Sequence, residues 1–94
     1  MSSGERSRGQ KFKIILSKEA DKYYKKVDIS TAKRLDKCFE QLEKNPVWGI
    51  NIRPLKGERG KYRYRVGSLR IIFGVDLDNR VVMVYLILPR GDVY

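Results

Sequence analysis

Arginine dominates the chemistry this chain could perform. Between Arg53 and Arg70 stand seven basic residues, Arg53, Lys56, Arg59, Lys61, Arg63, Arg65 and Arg70, against one acid, Glu58, so this stretch holds +6 of a net charge of +10. A guanidinium group is a planar, permanently charged fork that matches the oxygens of a phosphate or carboxylate two at a time. It accepts a proton poorly, and the sequence contains no histidine. A reaction centred on these residues would therefore gain its rate by stabilising a transition state that carries extra negative charge, with little general acid or base help. Cys38 is the only cysteine. An intramolecular disulfide is thus impossible and the usual zinc ligand sets are out of reach, so no metal and no cofactor are expected.

The whole-chain balance points the same way. A strong positive excess favours a polyanionic partner, whether RNA, DNA, an anionic membrane surface or an acidic protein. The chain has 94 residues, 41% of them hydrophobic, and no apolar run near the length a membrane span requires. One compact domain follows, expected over 10–94, with 1–9 read as a flexible basic tail of Ser, Gly and Arg that has almost nothing to bury. No secretory signal is recognisable, and the single cysteine suits a reducing cytoplasm. A core this small gives modest stability, to which a bound partner would add.

The elements that must position the arginines can be read from periodicity. Lys11 to Leu16 (KFKIIL) predicts a strand. Ser17 then offers a side-chain oxygen as N-cap, with Glu19 and Asp21 in the first turn of a helix. Ala20, Tyr23, Tyr24 and Val27 share one face of that helix, and the tyrosines are read as core in preference to base-stacking platforms. Asp28 or Ser30 caps a second helix with Ala32, Leu35, Cys38, Phe39 and Leu42 on its apolar stripe, ended by Asn45-Pro46. Cys38 is accordingly a small core residue. Val47 to Gly60 is a Gly- and Pro-containing loop, with Trp48 and Ile50 expected to fold back over the core. From Lys61 the pattern alternates in three strands, KYRYRV, LRIIFGVD and RVVMVYLIL, joined by turns at Gly67-Ser68 and Asp78-Asn79.

Those turns set a register. Gly67-Ser68 places Val66 opposite Leu69, Arg65 opposite Arg70, Tyr64 opposite Ile71 and Arg63 opposite Ile72. The second turn places Val75 opposite Val82, Phe73 opposite Val84 and Ile71 opposite Leu86. One face is then apolar: Tyr62, Tyr64, Val66, Leu69, Ile71, Phe73, Val75, Val82, Val84 and Leu86, and it must cover the helices. The other carries Arg63, Arg65, Arg70, Ile72, Met83, Tyr85 and Ile87. Like charges directly opposed destabilise a sheet. Either the arginines point apart into water, or an oxyanion sits between them; the apolar and aromatic neighbours Ile72, Met83 and Tyr85 favour the second. The fold class is α+β: an N-terminal strand, a helical hairpin and a three-stranded antiparallel meander, forming one twisted sheet with two helices on one face.

The string Leu55 to Phe73, LKGERGKYRYRVGSLRIIF, resembles the signature stretch of the RelE/ParE toxin superfamily: a Leu-Lys-Gly loop, a strand reading roughly Tyr-Arg-x-Arg-x-Gly, a tight turn, then Arg-x-x-Tyr. The tail LPRGDVY, Leu88 to Tyr94, is similar to its closing segment, and the element order also matches, so the resemblance spans Lys11 to Tyr94. It implies a toxin of a type II toxin–antitoxin system, with a cognate antitoxin as partner. RelE-like members cleave mRNA in the ribosomal A site without a metal, and ParE-like members inhibit DNA gyrase. By this resemblance Arg63 and Arg65 grip the scissile phosphate, Arg70 stabilises it, Arg90 lies near the leaving group and Tyr94 orients the base or substrate. Arg53, Lys56, Arg59, Lys61 and Tyr85 would line the RNA path. ParE-like chains usually lack the full set of five, which favours the ribonuclease. Three positions depart from the family pattern: Phe73 stands where Tyr is common, Pro89 where many relatives place His, and Arg63 and Arg65 replace the lysines of some members.

The implied reaction is attack of a ribose 2′-hydroxyl on the adjacent phosphate, expelling a 5′-hydroxyl. Without histidine, alignment of the attacking oxygen is left to the ribosome, so activity on free RNA should be weak. The competing readings are a ParE-like gyrase inhibitor without nuclease activity and a catalytically inactive nucleic-acid-binding relative.

Overall fold

A computed structural model describes residues 11–89. The elements in chain order are β1 (Lys13–Leu16), α1 (Lys18–Lys26), α2 (Ile29–Lys44), β2 (Ile52–Pro54), β3 (Lys61–Val66), β4 (Leu69–Asp76) and β5 (Val81–Pro89). The strands form one sheet in the order β1-β5-β4-β3-β2. β1 runs parallel to β5 and every other pairing is antiparallel. The expected basic tail, Arg90 and Tyr94 lie outside the described residues.

Both helices start as their sequences dictate. Ser17 caps α1, its Oγ accepting from the Ala20 N–H at 3.0 Å, with Glu19 and Asp21 in the first turn and Lys25 and Lys26 in the last. Asp28 is the N-cap of α2, and Asn45 ends it. Their apolar faces meet one side of the sheet. Ala20, Leu35, Cys38 and Leu42 from the helices and Ile52, Leu69, Ile71, Phe73, Val82, Val84 and Ile87 from the strands make the buried core, with Tyr23, Tyr24, Val27 and Phe39 packed at its margin. The helix tyrosines are thus core-edge residues, and the Tyr24 hydroxyl donates to Asp36 Oδ1 at 2.6 Å. No helix among the described residues is long and apolar enough to cross a membrane.

The first hairpin has the register read from its turn: Val66 pairs with Leu69, Arg65 with Arg70, Tyr64 with Ile71 and Arg63 with Ile72, and Gly67 takes the positive φ of 58° that its position requires. The second begins as expected, with Val75 opposite Val82 and Phe73 opposite Val84, and then departs. Val84 pairs with Phe73 and Leu86 with Ile72, so Tyr85 is an extra residue, a β-bulge. Beyond it the faces exchange. Ile71 pairs with Ile87, which is 4% exposed, whereas Leu86 is 36% exposed, the reverse of the assignment from strict alternation.

Three further expectations are corrected. The Asp78-Asn79 turn is a four-residue connection, Leu77 to Arg80, in which Arg80 has φ 54° and Asp76 accepts from the Asn79 backbone and side chain. The loop after α2 contains a fifth strand, β2, which extends the sheet beside β3 because Ile52 buries against the core opposite Tyr64. Trp48 and Ile50 do not fold over the core. They are 74% and 85% exposed, since the core position they were expected to fill is occupied by Ile52 and by the buried Pro46.

Candidate nucleic-acid interface

The face of the sheet turned away from the helices carries the site. Ile52, Tyr64 and Ile71 point into the core, so alternation turns Arg53, Arg63, Arg65 and Arg70 outward. Arg65 and Arg70 are direct cross-strand partners, and β2 adds a second opposed pair, Arg53 and Arg63. Four guanidinium-bearing positions therefore occupy adjacent places on three consecutive strands. Arg53, Arg63 and Arg65 are exposed and Arg70 is half-buried beside Leu88. Neither Arg63 nor Arg65 has an ion-pair partner among the described residues. Arg53 is held: its Nη1 donates to the carbonyls of Ile50 and Ile52 at 3.2 and 3.3 Å. A polar hollow of about 350 Å³ beside the Gly67-Ser68 turn lies between Arg65 and Arg70. Such opposition costs stability in the free protein, and an oxyanion between the forks removes that cost.

At the other end of the same face, Lys61, Gly74 and Tyr85 form a second group. Gly74 pairs with Lys61 on β3 and with Met83 on β5. A Cβ on Gly74 would lie 2.9 Å from the Tyr85 hydroxyl and 3.0 Å from its Cε2, so the missing side chain is the niche into which the bulged tyrosine lies. Lys61 Nζ sits 5.1 Å from the centroid of that ring and 3.1 Å from Glu58 Oε1. Of the expected RNA-lining residues, Lys61 and Tyr85 are thus in contact with each other. Arg59 joins Lys61, Gly74, Met83 and Tyr85 in lining a second hollow at this end, and Lys56 is exposed in the preceding loop. Gly74 was not singled out in the sequence, although an isolated glycine within a strand pattern marks close approach or a bulge.

The bulge is anchored from the helix side. The Ser17 N–H donates to the Val84 carbonyl at 2.9 Å, and the Ser17 hydroxyl donates to the Tyr85 carbonyl at 2.7 Å. In an unbroken strand successive carbonyls point to opposite neighbours. Here both turn to one residue, and that residue also caps α1. Beyond the bulge, Leu86 and Leu88 join Ile72 on the outer face, giving the arginine cluster an apolar border on its β5 side.

Two core groups near the site titrate unusually. Burial pushes the Cys38 thiol above its ordinary value. Burial also raises the Tyr64 phenol, with the neighbouring Cys38 adding to the shift. A thiol held neutral in this way is a packing group and not a nucleophile.

The model of the ParE toxin of type II toxin–antitoxin systems matches residues 14–94. The chain belongs to this family, within the RelE/ParE superfamily. It is 30% identical over 86 residues to a protein of Methanocaldococcus jannaschii named as a candidate toxin, RelE1, covering 89% of this chain and 96% of that one. Among solved structures, this toxin's fold is similar to the archaeal RelE–RelB complex of Pyrococcus horikoshii, with a TM-score of 0.76, 23% identity and coverage of 88% of this chain and 99% of that one. The isolated RelE toxin of E. coli gives a TM-score of 0.75 at 18% identity, covering 87% of each chain. The RelBE2 toxin–antitoxin complex of Mycobacterium tuberculosis gives 0.72 at 20% identity, with 85% and 99% covered. The toxin thus has the RelE fold, and it is a toxin of the type II toxin–antitoxin class.

Proposed function

We propose that this toxin is a ribosome-dependent endoribonuclease that cuts mRNA in the A site. The observation that carries the reading is the double opposition of arginines, Arg65 with Arg70 and Arg53 with Arg63, on one exposed sheet face. In the proposed reaction a ribose 2′-hydroxyl attacks the adjacent phosphorus, forming the 2′-oxygen–phosphorus bond. The bond to the 5′-oxygen breaks and a 5′-hydroxyl leaves, so the upstream fragment ends in a 2′,3′-cyclic phosphate. Arg63 and Arg65 grip the scissile phosphate and Arg70 stabilises the phosphorane as its charge grows. Arg90 and Tyr94 take the leaving-group and base-orienting roles on the strength of the family resemblance. Arg53, Lys56, Arg59, Lys61 and Tyr85 contact the flanking RNA.

Arginines contribute electrostatic stabilisation and leave the 2′-oxygen to be aligned by the message's seat on the ribosome. The test is cleavage of message in programmed ribosomes, with 5′ ends mapped by primer extension. Arg65→Ala and Arg90→Ala should each slow cutting on the order of 100-fold or more; variants that cut like the parent would remove these residues from the site. A cognate antitoxin is the second proposed partner, as in the RelE–RelB complexes. An acidic segment laid over the arginine face would neutralise the opposed charges and stabilise the toxin by mass action. The match to a ParE model favours gyrase inhibition as a second reading, and loss of supercoiling by gyrase on addition of the purified toxin would establish it.

A further inference from the structure

The loop between α2 and β2 holds two large apolar side chains in solvent, Trp48 and Ile50. They border a cleft of about 410 Å³ whose other walls include the amide-bearing residues Gln41, Asn45 and Asn51, and Tyr64. An indole plane beside several amide groups is the chemistry of nucleobase recognition. The ring stacks on a base face, and amides offer donors and acceptors to base edges. An apolar peptide anchor would fill the apolar part of this lining but leave Gln41, Asn45 and Asn51 without the edge contacts that a stacked base supplies. The cleft is also tied to the arginine row. The guanidinium of Arg53, which pairs across strands with Arg63, donates to the carbonyls of Ile50 and Ile52 and so fixes the loop against β2. The arginine row ends at Arg53 on the edge strand β2, and the cleft opens on the helix side of that edge, so an RNA strand that follows the row and rounds β2 reaches the loop carrying Trp48.

We propose that the Trp48 cleft is a nucleobase subsite for single-stranded RNA, stacking a base of the same message strand whose phosphates the arginines contact. This rests on the RNA-binding reading above and adds a site to it. Trp48 is the only tryptophan of the chain, so its emission reports on the cleft alone when excited selectively. The toxin would be titrated with a labelled uridine oligonucleotide of about 16 nucleotides and with an abasic strand of equal length. Label anisotropy reads binding and indole emission reads stacking. The expected result is that both strands bind, that only the uridine strand quenches Trp48, that Trp48→Ala weakens uridine-strand binding about tenfold, and that Trp48→Phe retains most of it. Trp48 is exposed, so neither substitution removes core packing. Binding of the uridine strand with unchanged emission and an indifferent Trp48→Ala variant overturns the subsite and leaves the arginine reading intact. Binding of neither strand overturns both. Emission that shifts with toxin concentration alone assigns the cleft to a second copy of the chain and overturns the subsite.

Discussion

Removing the charge of Arg63 while keeping most of its length should move stability and RNA affinity in opposite directions. Arg63 faces Arg53 across the strand pair and lies two positions from Arg65 on the same face. Directly opposed strand residues have Cβ atoms about 5 Å apart, and neighbours two residues along lie at roughly 7 Å. For charged heads roughly 7 Å apart in water, Coulomb's law gives about 0.6 kcal/mol of repulsion per pair. Screening at 0.1 M salt roughly halves it. With two such neighbours, Arg63→Gln should gain about 1 kcal/mol at very low salt and about 0.5 kcal/mol at 0.1 M, with almost no gain at 1 M. Urea unfolding at several salt concentrations measures this without adding ions through the denaturant. The same substitution removes one phosphate contact, so the slope of log affinity for single-stranded RNA against log salt should become shallower by about 0.7. A stability loss above about 1 kcal/mol would mean that Arg63 is compensated within the protein. An unchanged slope would mean that it touches no phosphate. Either result refutes the opposed-charge account.

Ser17→Ala loses the cap bond to Ala20 and the hydroxyl bond to the bulged Tyr85 carbonyl, and should cost about 1–2 kcal/mol in thermal or urea unfolding. Gly74→Ala places a methyl 2.9 Å from the Tyr85 hydroxyl, and the exposed end of the ring must swing out of its niche; the loss should stay below about 1 kcal/mol and vanish in a Tyr85→Ala background, as a double-mutant cycle would reveal. The hydrogen bond from Tyr24 to Asp36 raises the phenol above its ordinary value. A folded-state pKa raised in this way contributes stability that is present below the unfolded value and lost as pH rises through the folded one. Asp36→Asn should therefore bring phenol ionisation back toward the ordinary value in an absorbance titration, and abolish that part of the alkaline stability loss.

What was legible in the sequence depended on contrast. KYRYRV and LRIIFGVD alternate chemistry sharply around Gly67-Ser68, so one turn fixed the pairing of Arg65 with Arg70, and a slip by one residue would have buried the arginines. The stripe from Leu35 to Leu42 named its helix face for the same reason. In VVMVYLILP almost every residue is apolar, so either face could go inward and nothing local marks Tyr85 as the bulge. That choice was made by partners distant in the chain: the niche at Gly74 and the two bonds from Ser17.

The second arginine pair shows the same division. Arg53 stands in a three-residue strand inside a loop rich in Gly and Pro, too short for a periodicity to declare itself. It becomes a neighbour of Arg63 only because Ile52 finds a place in the core opposite Tyr64. Residue types and the tight hairpin determined the charge, the α+β class and the first opposed pair. Packing between distant segments decided where the sheet bends, how far the arginine row extends, and that Trp48 and Ile50 face water, because burial is a property of the assembled core and not of a residue's own apolarity.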